Sequence, residues 1–268
     1  MYLAQPSLSQ AIRNLERDLG QRLFERLGRG VVLTEAGQAL VEPARQVVRG
    51  LDTARAAVES VGALVTGTLS IASMPSPAVE PLSSMIGVFR GKFPDIRVTV
   101  KDAPVPTSVI EMVHSGVTEL GLFSSWDKPA VADVRLYPLE RQRFVLVAPP
   151  DGRFSSGEPV RWEQLAGERL IVGEHGTGIR RLVEEIRATP VPVTIAVETE
   201  HREAVLPLVL NGVGVGVLAE AWRPLAMRAG AVVCDLDPVA GLQLFLACRN
   251  GWLSPAATEF LAVANAGE

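Results

Sequence analysis

Apolar positions in the first 33 residues change from a helical to a strand-like spacing. Four apolar side chains recur at i, i+4, i+7 and i+11, which places them on one face of a helix. They are Leu8, Ile12, Leu15 and Leu19. Pro6 suits the first turn of that helix, and Gly20 can end it in a left-handed conformation. Residues 22–26 and 31–33 are β-prone runs around a Gly-Arg-Gly tip, so they predict a hairpin.

A long helix is predicted from Thr34 to about Ala63. Thr34 can cap its N-terminus, and Pro43 should kink or restart it near its first turns. Six apolar residues follow at spacings of three and four, the a/d pattern by which two helices pair. They are Ala44, Val47, Leu51, Ala54, Val58 and Val61. A helix packed on its own domain would show the same pattern, so both interpretations stay open.

The remaining sequence predicts two βαβαβ units of similar order. The first has strands at 68–72, 96–100 and 120–123, a loop at 74–77, and helices ending near 92 and spanning 108–115. The second has strands at 170–172, 193–197 and 213–218, with helices at 179–188 and 203–210. Crossings between the units are predicted near 144–148 and 236–242, a second β-rich run spans 242–247, and a helix over 255–264 follows. Two α/β lobes joined by two crossings predict a hinged clamshell with a ligand in the cleft.

Composition narrows the class of protein. A chain of 268 residues suggests about two domains, and its 47% apolar residues can fill a large core. No apolar run reaches the ~18 residues of a membrane span, and the N-terminus lacks a secretory pattern. Cys234 and Cys248 do not make a disulfide scaffold. We therefore expect a reduced, cytoplasmic protein.

Charge separates the beginning of the chain from the rest. Residues 1–33 carry five arginines against three acidic residues, whereas the remainder has a net charge of −6 within a total of −4. This asymmetry suggests that only residues 1–33, called the head below, contact a polyanion. Its short hydrogen-bonding and arginine side chains are the types that reach base edges and phosphates. The candidate DNA contacts are Gln5, Pro6, Ser7, Ser9, Gln10, Arg13, Arg17, Arg26 and Arg29. An ordinary amphipathic surface helix would also show this pattern.

Short motifs in the head carry a family resemblance. They are Gln5–Ile12, Leu15-Glu16, Leu19-Gly20, Leu23–Arg26 and Leu33–Gly37. In order and spacing they resemble the N-terminal segment of LysR-type transcriptional regulators. The resemblance implies a winged helix-turn-helix, with the first helix as recognition helix, the hairpin as wing and the long helix as dimerising linker. For residues 67–265 it implies an α/β, periplasmic-binding-protein-like effector domain, and it implies a homodimer or homotetramer.

The head departs from the family at its beginning. Complete members have two further helices before the recognition helix, about 25 residues at ordinary helix lengths. We therefore expect a partial winged helix-turn-helix, from a misassigned start, a truncation or a natural variant that binds DNA poorly. The predicted domains are the partial head at 1–33, the linker at 34–63 and the effector domain at 64–268. Within the last, lobe I covers about 67–145 and 237–268, and lobe II about 146–236.

The predicted cleft is lined by loops that follow strands and lead into helices. Free N–H groups and hydroxyls at helix starts favour a carboxylate or another small anion. The candidate ligand contacts are Ser73, Met74, Ser76, Pro106, Thr107, Ser124, Ser125, Thr177, Gly178, Thr199 and His201. In the family the position of Pro106 is often polar, and Thr107 is expected to replace it. Each hydroxyl could equally be a simple helix cap.

Other chemistries lack their motifs. Gly212–Gly216 lacks the glycine spacing of a dinucleotide turn, and Gly173–Gly178 lacks the Gly-Lys-Ser/Thr of a P-loop. The three histidines lack Cys or His partners at ligand spacing, and there is no Gly-x-Ser-x-Gly elbow. We therefore predict no metal, no cofactor and no catalytic residue. Both cysteines are most simply core thiols.

Three functional classes remain. The favoured class is a DNA-binding transcriptional regulator that senses a small, anionic metabolite in an interlobe cleft and reads operator DNA in the major groove. The second is a truncated effector-sensing or dimerisation module without effective DNA binding. The third is a clamshell-fold enzyme, which would need a cleft acid or base and finds no close carboxylate pair.

Overall fold

The computed structural model describes residues 5–27, 30–41, 43–44, 47, 50–51 and 67–265. Contacts divide the chain into two compact units, Met1–Glu59 and Ser60–Glu268. This boundary lies inside the predicted linker helix. The finer predicted subdivision, into 1–33, 34–63 and 64–268, stays a prediction.

The first unit contains the predicted helix, hairpin and second helix. Their bounds are α1 (Gln5–Leu19), β1 (Phe24–Leu27), β2 (Gly30–Leu33) and α2, which is described at 35–41, 43–44, 47 and 50–51. Gly20 has a φ of +67°, as expected for a left-handed helix stop. The Thr34 hydroxyl accepts a hydrogen bond from the backbone N–H of Gly37 over 3.0 Å, so the predicted cap is confirmed. Ala54, Val58 and Val61 lie outside the described residues.

The hairpin is held to the helices through Leu23. This side chain is buried, and the carboxylate of Glu16 accepts hydrogen bonds from the backbone N–H groups of Leu23 and Phe24. A Cβ at Gly37 would lie 2.1 Å from the carbonyl oxygen of Leu23, so only glycine permits this approach. The apolar face of α1 is uncovered within the described unit. Leu8, Leu15 and Leu19 are 52%, 44% and 47% exposed.

The second unit has two lobes, as predicted. Lobe I contains β3 (Gly67–Ser73), α3 (Pro75–Pro77), α4 (Ser83–Lys92), β4 (Ile96–Asp102), α5 (Pro106–His114) and β5 (Leu120–Ser125). Next come β6 (Val134–Ala148) and β7 (Val160–Arg161), followed by β8 (Arg169–Gly173), α6 (Gly178–Arg187), β9 (Thr194–Thr199), α7 (Arg202–Leu210) and β10 (Val215–Ala219). The chain continues through α8 (Arg223–Arg228), β11 (Val232–Asp237), β12 (Gly241–Arg249) and α9 (Pro255–Asn265).

Both lobes use the same strand order. The parallel strands run β4-β3-β5 in lobe I and β9-β8-β10 in lobe II, so the first strand of each unit is central. An antiparallel strand then adds to the inner edge of each, β12 beside β5 and β6 beside β10. The predicted pair of βαβαβ units is therefore confirmed. The carboxyl ends of the parallel strands, and the loops leading into α6 and α7, face the cleft between the lobes.

The strand β6 passes through both lobes. Up to Arg143 it pairs with β12, and from Phe144 it pairs with β10 on one side and reaches β11 on the other. The second crossing is the short segment 238–240 between β11 and β12. The backbone N–H of Phe144 donates to the carbonyl oxygen of Ala240 over 2.8 Å, so the two crossings are hydrogen-bonded to each other.

The prediction of a loop at 74–77 was wrong. Pro75 begins a helical turn there, because proline has the backbone angle of a first helical residue and needs no N–H partner. The wide turn Ala78–Leu82 follows. It is interrupted at Glu80, whose φ of −156° is extended as expected before Pro81. The sequence also did not predict α8, β7 or the 3₁₀ turns Trp162–Leu165 and Glu220–Trp222.

Each lobe has its own apolar core. In lobe I, Phe89 and Phe260 pack edge to face with ring centroids 5.4 Å apart, and both are fully buried. In lobe II, the core between the sheet and α6 includes Leu170, Leu182 and Ile186. Among the described residues, no helix is long and apolar enough to cross a membrane.

Candidate functional site

Polar side chains on α1 form a ladder of hydrogen bonds opposite the apolar face. Arg13 donates to the side-chain oxygen of Gln10 over 2.7 Å. Gln10 and Arg17 both donate to the side-chain oxygen of Asn14, over 3.1 and 3.2 Å. Three predicted DNA contacts therefore share one polar face of the helix.

The other predicted DNA contacts are described less fully. Ser9 is exposed on α1. The backbone places Gln5, Pro6 and Ser7 in the first turn of α1 and Arg26 in β1, but their side chains lie outside the described residues, as does the whole of Arg29. Their roles stay predictions.

Two adjoining cavities occupy the cleft between the lobes. The Glu174 cavity is an open pocket of about 450 Å³, counted with the solvent at its mouth, and lies mainly against lobe II. It is lined by Pro75, Pro104, Gly173, Glu174, Thr177, Ile179, Thr199, Glu200, Arg202, Val205, Val217 and Leu218. The Phe144 cavity is an open pocket of about 310 Å³, again counted with solvent at its mouth, and lies beside the crossings. It is lined by Met74, Pro75, Ser76, Pro77, Ser124, Gln142, Phe144, Gly178, Ile179, Arg202, Ala219 and Leu242.

Six of the eleven predicted ligand contacts line these cavities. Met74, Ser76, Ser124 and Gly178 border the Phe144 cavity, and Thr177 and Thr199 border the Glu174 cavity. The other five are not among the lining residues. Ser73 is buried and its hydroxyl donates to the carbonyl of Met74, while His201 is exposed beside Glu203. The remaining three are Pro106, Thr107 and Ser125.

The lining hydroxyls differ in what already binds them. Thr177 is a helix cap, because its hydroxyl accepts from the N–H of Arg180 over 3.2 Å and donates to the carbonyl of Glu174 over 3.1 Å. Ser76 accepts a hydrogen bond from the indole nitrogen of Trp222 over 3.4 Å. Ser124 is buried, and its hydroxyl has no hydrogen-bond partner within the described chain. A ligand could therefore hydrogen-bond the Ser124 hydroxyl directly, whereas the hydroxyls of Thr177 and Ser76 already bond to the protein.

Arg202, which lines both cavities, is the cleft residue that the sequence reasoning missed. It lies in the first turn of α7 and is partly buried. Within the described chain its guanidinium makes neither a hydrogen bond nor an ion pair. Burial lowers the pKa of Arg202, and attraction to the Glu174 carboxylate offsets only part of that effect. Its position in the first turn of the helix that follows β9 is the only signal in the sequence, and most arginines at such positions point into solvent.

Arg180, in the first turn of α6, differs from Arg202 because its guanidinium is paired with several protein groups. Its side chain is only 5% exposed, and it donates to Glu184 over 2.6 Å and forms an ion pair with Glu198 over 2.9 Å. It also reaches Nε2 of His175 over 3.0 Å and donates to the carbonyl of Gly173 over 3.3 Å. The hydrogen bonds from Arg180 hold the pKa values of both carboxylates below the usual range. Arg180 therefore fixes the loop that carries Glu174.

Metal-ligating side chains and cysteines are two further features of the described residues. No group of three or more His, Cys, Asp or Glu side chains there could hold a metal ion. Cys234 and Cys248 are buried, and burial raises the pKa of both thiols, so neither is a reactive thiolate.

The chain matches two family models that together cover nearly all of it. Residues 62–267 match the LysR substrate binding domain, and residues 1–38 match the bacterial regulatory helix-turn-helix protein, lysR family. The chain belongs to the LysR family. Its relatives are named as transcriptional regulators, and the LysR family is not a family of enzymes. The first helix, hairpin and two-lobed unit are thus parts of a LysR-type regulator with an effector-binding domain.

Two relatives illustrate the likeness in sequence. The chain is 27% identical over 257 residues to the uncharacterized HTH-type transcriptional regulator YfeR of Shigella flexneri, covering 95% of this chain and 82% of that protein. It is 29% identical over 266 residues to the RuBisCO operon transcriptional regulator of Allochromatium vinosum, covering 97% and 86%.

Solved structures share the fold. A full-length OxyR from Pseudomonas aeruginosa gives a TM-score of 0.76 at 22% identity, covering 98% of this chain and 88% of that one. Full-length CbnR complexed with its target DNA gives 0.69 at 18% identity, covering 100% and 91%. The effector binding domain of BenM with its effector benzoate gives 0.63 at 16% identity, covering 75% and 92%.

Proposed function

We propose that this LysR-type regulator binds a small anionic effector in the interlobe cleft, with Arg202 as the main anchor. The observation that carries the proposal is the guanidinium of Arg202, which lines both cavities without a partner in the described chain. A partly buried charge without a protein partner has lost part of its hydration and gained no compensating contact. A carboxylate or similar anion supplies that contact, in the forked geometry that a guanidinium favours.

The contrast with Arg180 supports a ligand role for Arg202. Both arginines belong to lobe II, Arg180 buried and Arg202 partly buried, but Arg180 has four protein partners. A structural arginine is held in this way. The Ser124 hydroxyl, which faces the same cleft, adds a second polar group without a partner in the described residues.

The known structures are compatible with this arrangement. The related fold of the BenM effector binding domain holds benzoate, which is a carboxylate. By analogy, the effector of this chain would lie between the lobes and bind the closed form more tightly than the open one. Only that difference in affinity can shift the population, and coupling of about 1–3 kcal/mol is typical.

We propose that α1 reads DNA in the major groove and that β1 and β2 form the wing. The ladder of Gln10, Arg13, Asn14 and Arg17 presents hydrogen-bonding and cationic groups on one exposed face. The related CbnR has been observed with its target DNA. Because the operator of a bacterial regulator lies in the cytoplasm, we place the protein there.

We propose that α2 pairs with the α2 of a second copy. Val47 and Leu51 belong to the predicted a/d pattern and are 73% and 53% exposed. Apolar side chains at this spacing are buried when two helices pair. A homodimer, or a tetramer formed from two dimers, would result.

The test of the effector site uses sodium benzoate, acetate and succinate as probes in thermal-shift and calorimetric titrations. We expect at least one carboxylate to bind the parent chain and to lose about tenfold or more in affinity in Arg202→Gln, since hydrogen bonds to charged groups contribute about 1.5–3 kcal/mol. Arg228→Gln, which changes an exposed arginine at the end of α8, is the matched control. Equal affinity in the parent and in Arg202→Gln would move the site away from Arg202.

A sensor without effective DNA binding is the second candidate function. The exposed apolar face of α1, with Leu8, Leu15 and Leu19, favours it, because nothing in the described residues supports the helix from that side. A binding selection, in which the full chain is mixed with genomic DNA fragments and the bound fragments are sequenced, distinguishes the two candidates. Tight, sequence-specific binding would exclude the second candidate, and weak, sequence-independent binding would exclude the first for this chain.

A further inference from the structure

The Glu174 cavity contains unpaired charges of both signs. Arg202 faces it from α7, and the carboxylates of Glu174 and Glu200 face it from the loops after β8 and β9. The lining side chains therefore carry one positive and two negative formal charges. A ligand that is only an anion would gain the attraction of Arg202 and meet the repulsion of two carboxylates.

Glu174 and Arg202 are close enough to interact but do not pair. The Glu174 carboxylate acts electrostatically on Arg202, although neither a hydrogen bond nor an ion pair joins them. An ion pair would require a nitrogen-to-oxygen distance of ~4 Å or less. Within the described chain the Glu174 carboxylate has no hydrogen-bond partner. A gap bordered by two unsatisfied, opposite charges lies between these side chains.

The backbone of Glu174 is held firmly, so this gap does not result from a loose loop. The carbonyl of Glu174 accepts from the hydroxyl of Thr177 over 3.1 Å, and the carbonyl of Gly173 accepts from Arg180 over 3.3 Å. Arg202 is fixed in the first turn of α7. Two charged groups on anchored backbone are preorganised for a ligand that matches both.

We propose that the effector is a zwitterion with the head group of an amino acid, its carboxylate on Arg202 and its ammonium on Glu174. The proposal rests on the proposed anion site at Arg202. The carboxylate and ammonium of an α-amino acid are adjacent, so one head group fills the gap and neutralises both charges. Glu200 is exposed, and the negative charge of its carboxylate attracts the ammonium of the ligand and repels a second anionic group.

The lining of the Phe144 cavity indicates which side chain this ligand would carry. Pro75, Ile179 and Arg202 line both cavities, so a molecule anchored at Arg202 can extend from one into the other. The surface beyond that junction is mostly apolar, with contributions from Met74, Phe144 and Leu242. An amino acid with an apolar side chain is therefore the preferred class of effector.

The experiment is a calorimetric titration of the full chain with the twenty amino acids and with matched charge variants. For leucine the matched compounds are 4-methylpentanoate, which lacks the ammonium, and 3-methylbutylamine, which lacks the carboxylate. For phenylalanine they are 3-phenylpropanoate and 2-phenylethylamine. We expect at least one apolar amino acid to bind about tenfold or more tightly than either matched compound, because each loses one charge-assisted contact.

Variants assign the two contacts separately. Glu174→Gln should weaken the amino acid about tenfold and leave the matched carboxylate unchanged or tighter, whereas Arg202→Gln should weaken both. Glu203→Gln, which removes an exposed carboxylate on the same helix as Arg202, should weaken neither. If the matched carboxylate binds the parent as tightly as the amino acid and Glu174→Gln changes nothing, the zwitterion proposal is wrong and the anion site stands. Binding unaffected by Arg202→Gln would overturn both, and failure of every amino acid to bind would overturn the zwitterion proposal alone.

Discussion

The indole nitrogen of Trp222 donates a hydrogen bond across the cleft to the hydroxyl of Ser76 over 3.4 Å. Ser76 belongs to the helical turn after β3 in lobe I, and Trp222 follows β10 in lobe II. This bond links the lobes directly at the border of the Phe144 cavity. A ligand that occupies the Ser76 hydroxyl therefore competes with, or completes, a contact that the protein already makes.

Replacing Trp222 by Phe should destabilise the effector unit modestly. Loss of the hydrogen bond costs about 1 kcal/mol, which for a unit of this size lowers Tm by about 2–4 °C. Trp252→Phe is the matched control, because Trp252 is 46% exposed. Differential scanning calorimetry compares the two variants. Equal shifts in both would mean that the contact with Ser76 contributes nothing of its own.

Thr177→Ala should lower stability as well as effector affinity. Its hydroxyl caps α6 and also lines the Glu174 cavity, and loss of a cap typically costs ~1 kcal/mol. Thr177→Ser keeps the hydroxyl and should restore most of the stability. Urea unfolding measures this. A Thr177→Ala variant as stable as the parent would show that the cap is dispensable, and its affinity for the effector would then isolate the ligand contact.

The carboxylates around Arg180 should make stability depend on pH in the acid range. The pKa values of Glu184 and Glu198 are lowered below the usual 4.5, chiefly by hydrogen bonds from Arg180. A lowered pKa in the folded state stabilises the protein above the unfolded pKa, and this stabilisation disappears as the pH falls through the lower folded value. We therefore expect the free energy of unfolding to decrease below about pH 4.5.

Glu184→Gln should flatten this acid dependence. Urea unfolding at pH 7 and at about pH 3.5 gives the difference for the parent and the variant. Glu111→Gln, which changes an exposed carboxylate on α5, should keep the parent's dependence. If the free energy of unfolding fell equally in the parent and in Glu184→Gln between these pH values, the contact with Arg180 would be as strong after protonation of Glu184 as before it.

Leu51→Glu should reduce dimerisation. Leu51 lies in the predicted pairing face of α2 and is 53% exposed in a single chain, and a charge without a partner in a buried helix seam costs several kcal/mol. Gln38→Glu adds the same charge at an exposed position of α2 outside that face. Sedimentation velocity should show fewer dimers only for Leu51→Glu. An unchanged association state would make the face an internal one.

DNA binding, where it occurs, should respond to salt through the arginines of α1. Each phosphate contact contributes close to one unit to the slope of log affinity against log salt. Arg13→Gln and Arg17→Gln should each lower that slope by about one, and Arg29→Ala should do the same if the wing touches a phosphate. Fluorescence anisotropy on a selected operator fragment gives these slopes. Slopes equal to that of Arg228→Gln would remove the residue in question from the interface.

Local patterns in the sequence determined most of the fold. The spacing of Leu8 to Leu19 predicted α1, and the alternation of apolar runs with helical segments predicted both βαβαβ units. These patterns are readable because each element shows its own periodicity. The turn at Pro75–Pro77 was predicted as a loop, since three residues are too few to show a helical period.

The cleft was only half predictable, because its members are brought together by the fold. Ser124 and Gly178 could be placed by their positions after strands and before helices. Arg202 could not, because an arginine in a first helical turn usually points into solvent and here it faces Pro75 and Val217 from distant parts of the chain. Thr177 was predicted as a ligand contact, and the structure shows that its hydroxyl lines the cavity and also caps α6.

The passage of β6 through both lobes restricts how they can move. Its pairing changes from β12 to β10 between Arg143 and Phe144, and Phe144 is tied to Ala240 in the other crossing. Sliding one lobe along the other would tear a continuous ladder of backbone hydrogen bonds, whereas rotation needs only a change of torsion at a few peptide units. Rotation about the two crossings is therefore the motion that keeps the pairing of β6 intact, and an effector that changes the angle between the lobes does so by twisting this one strand.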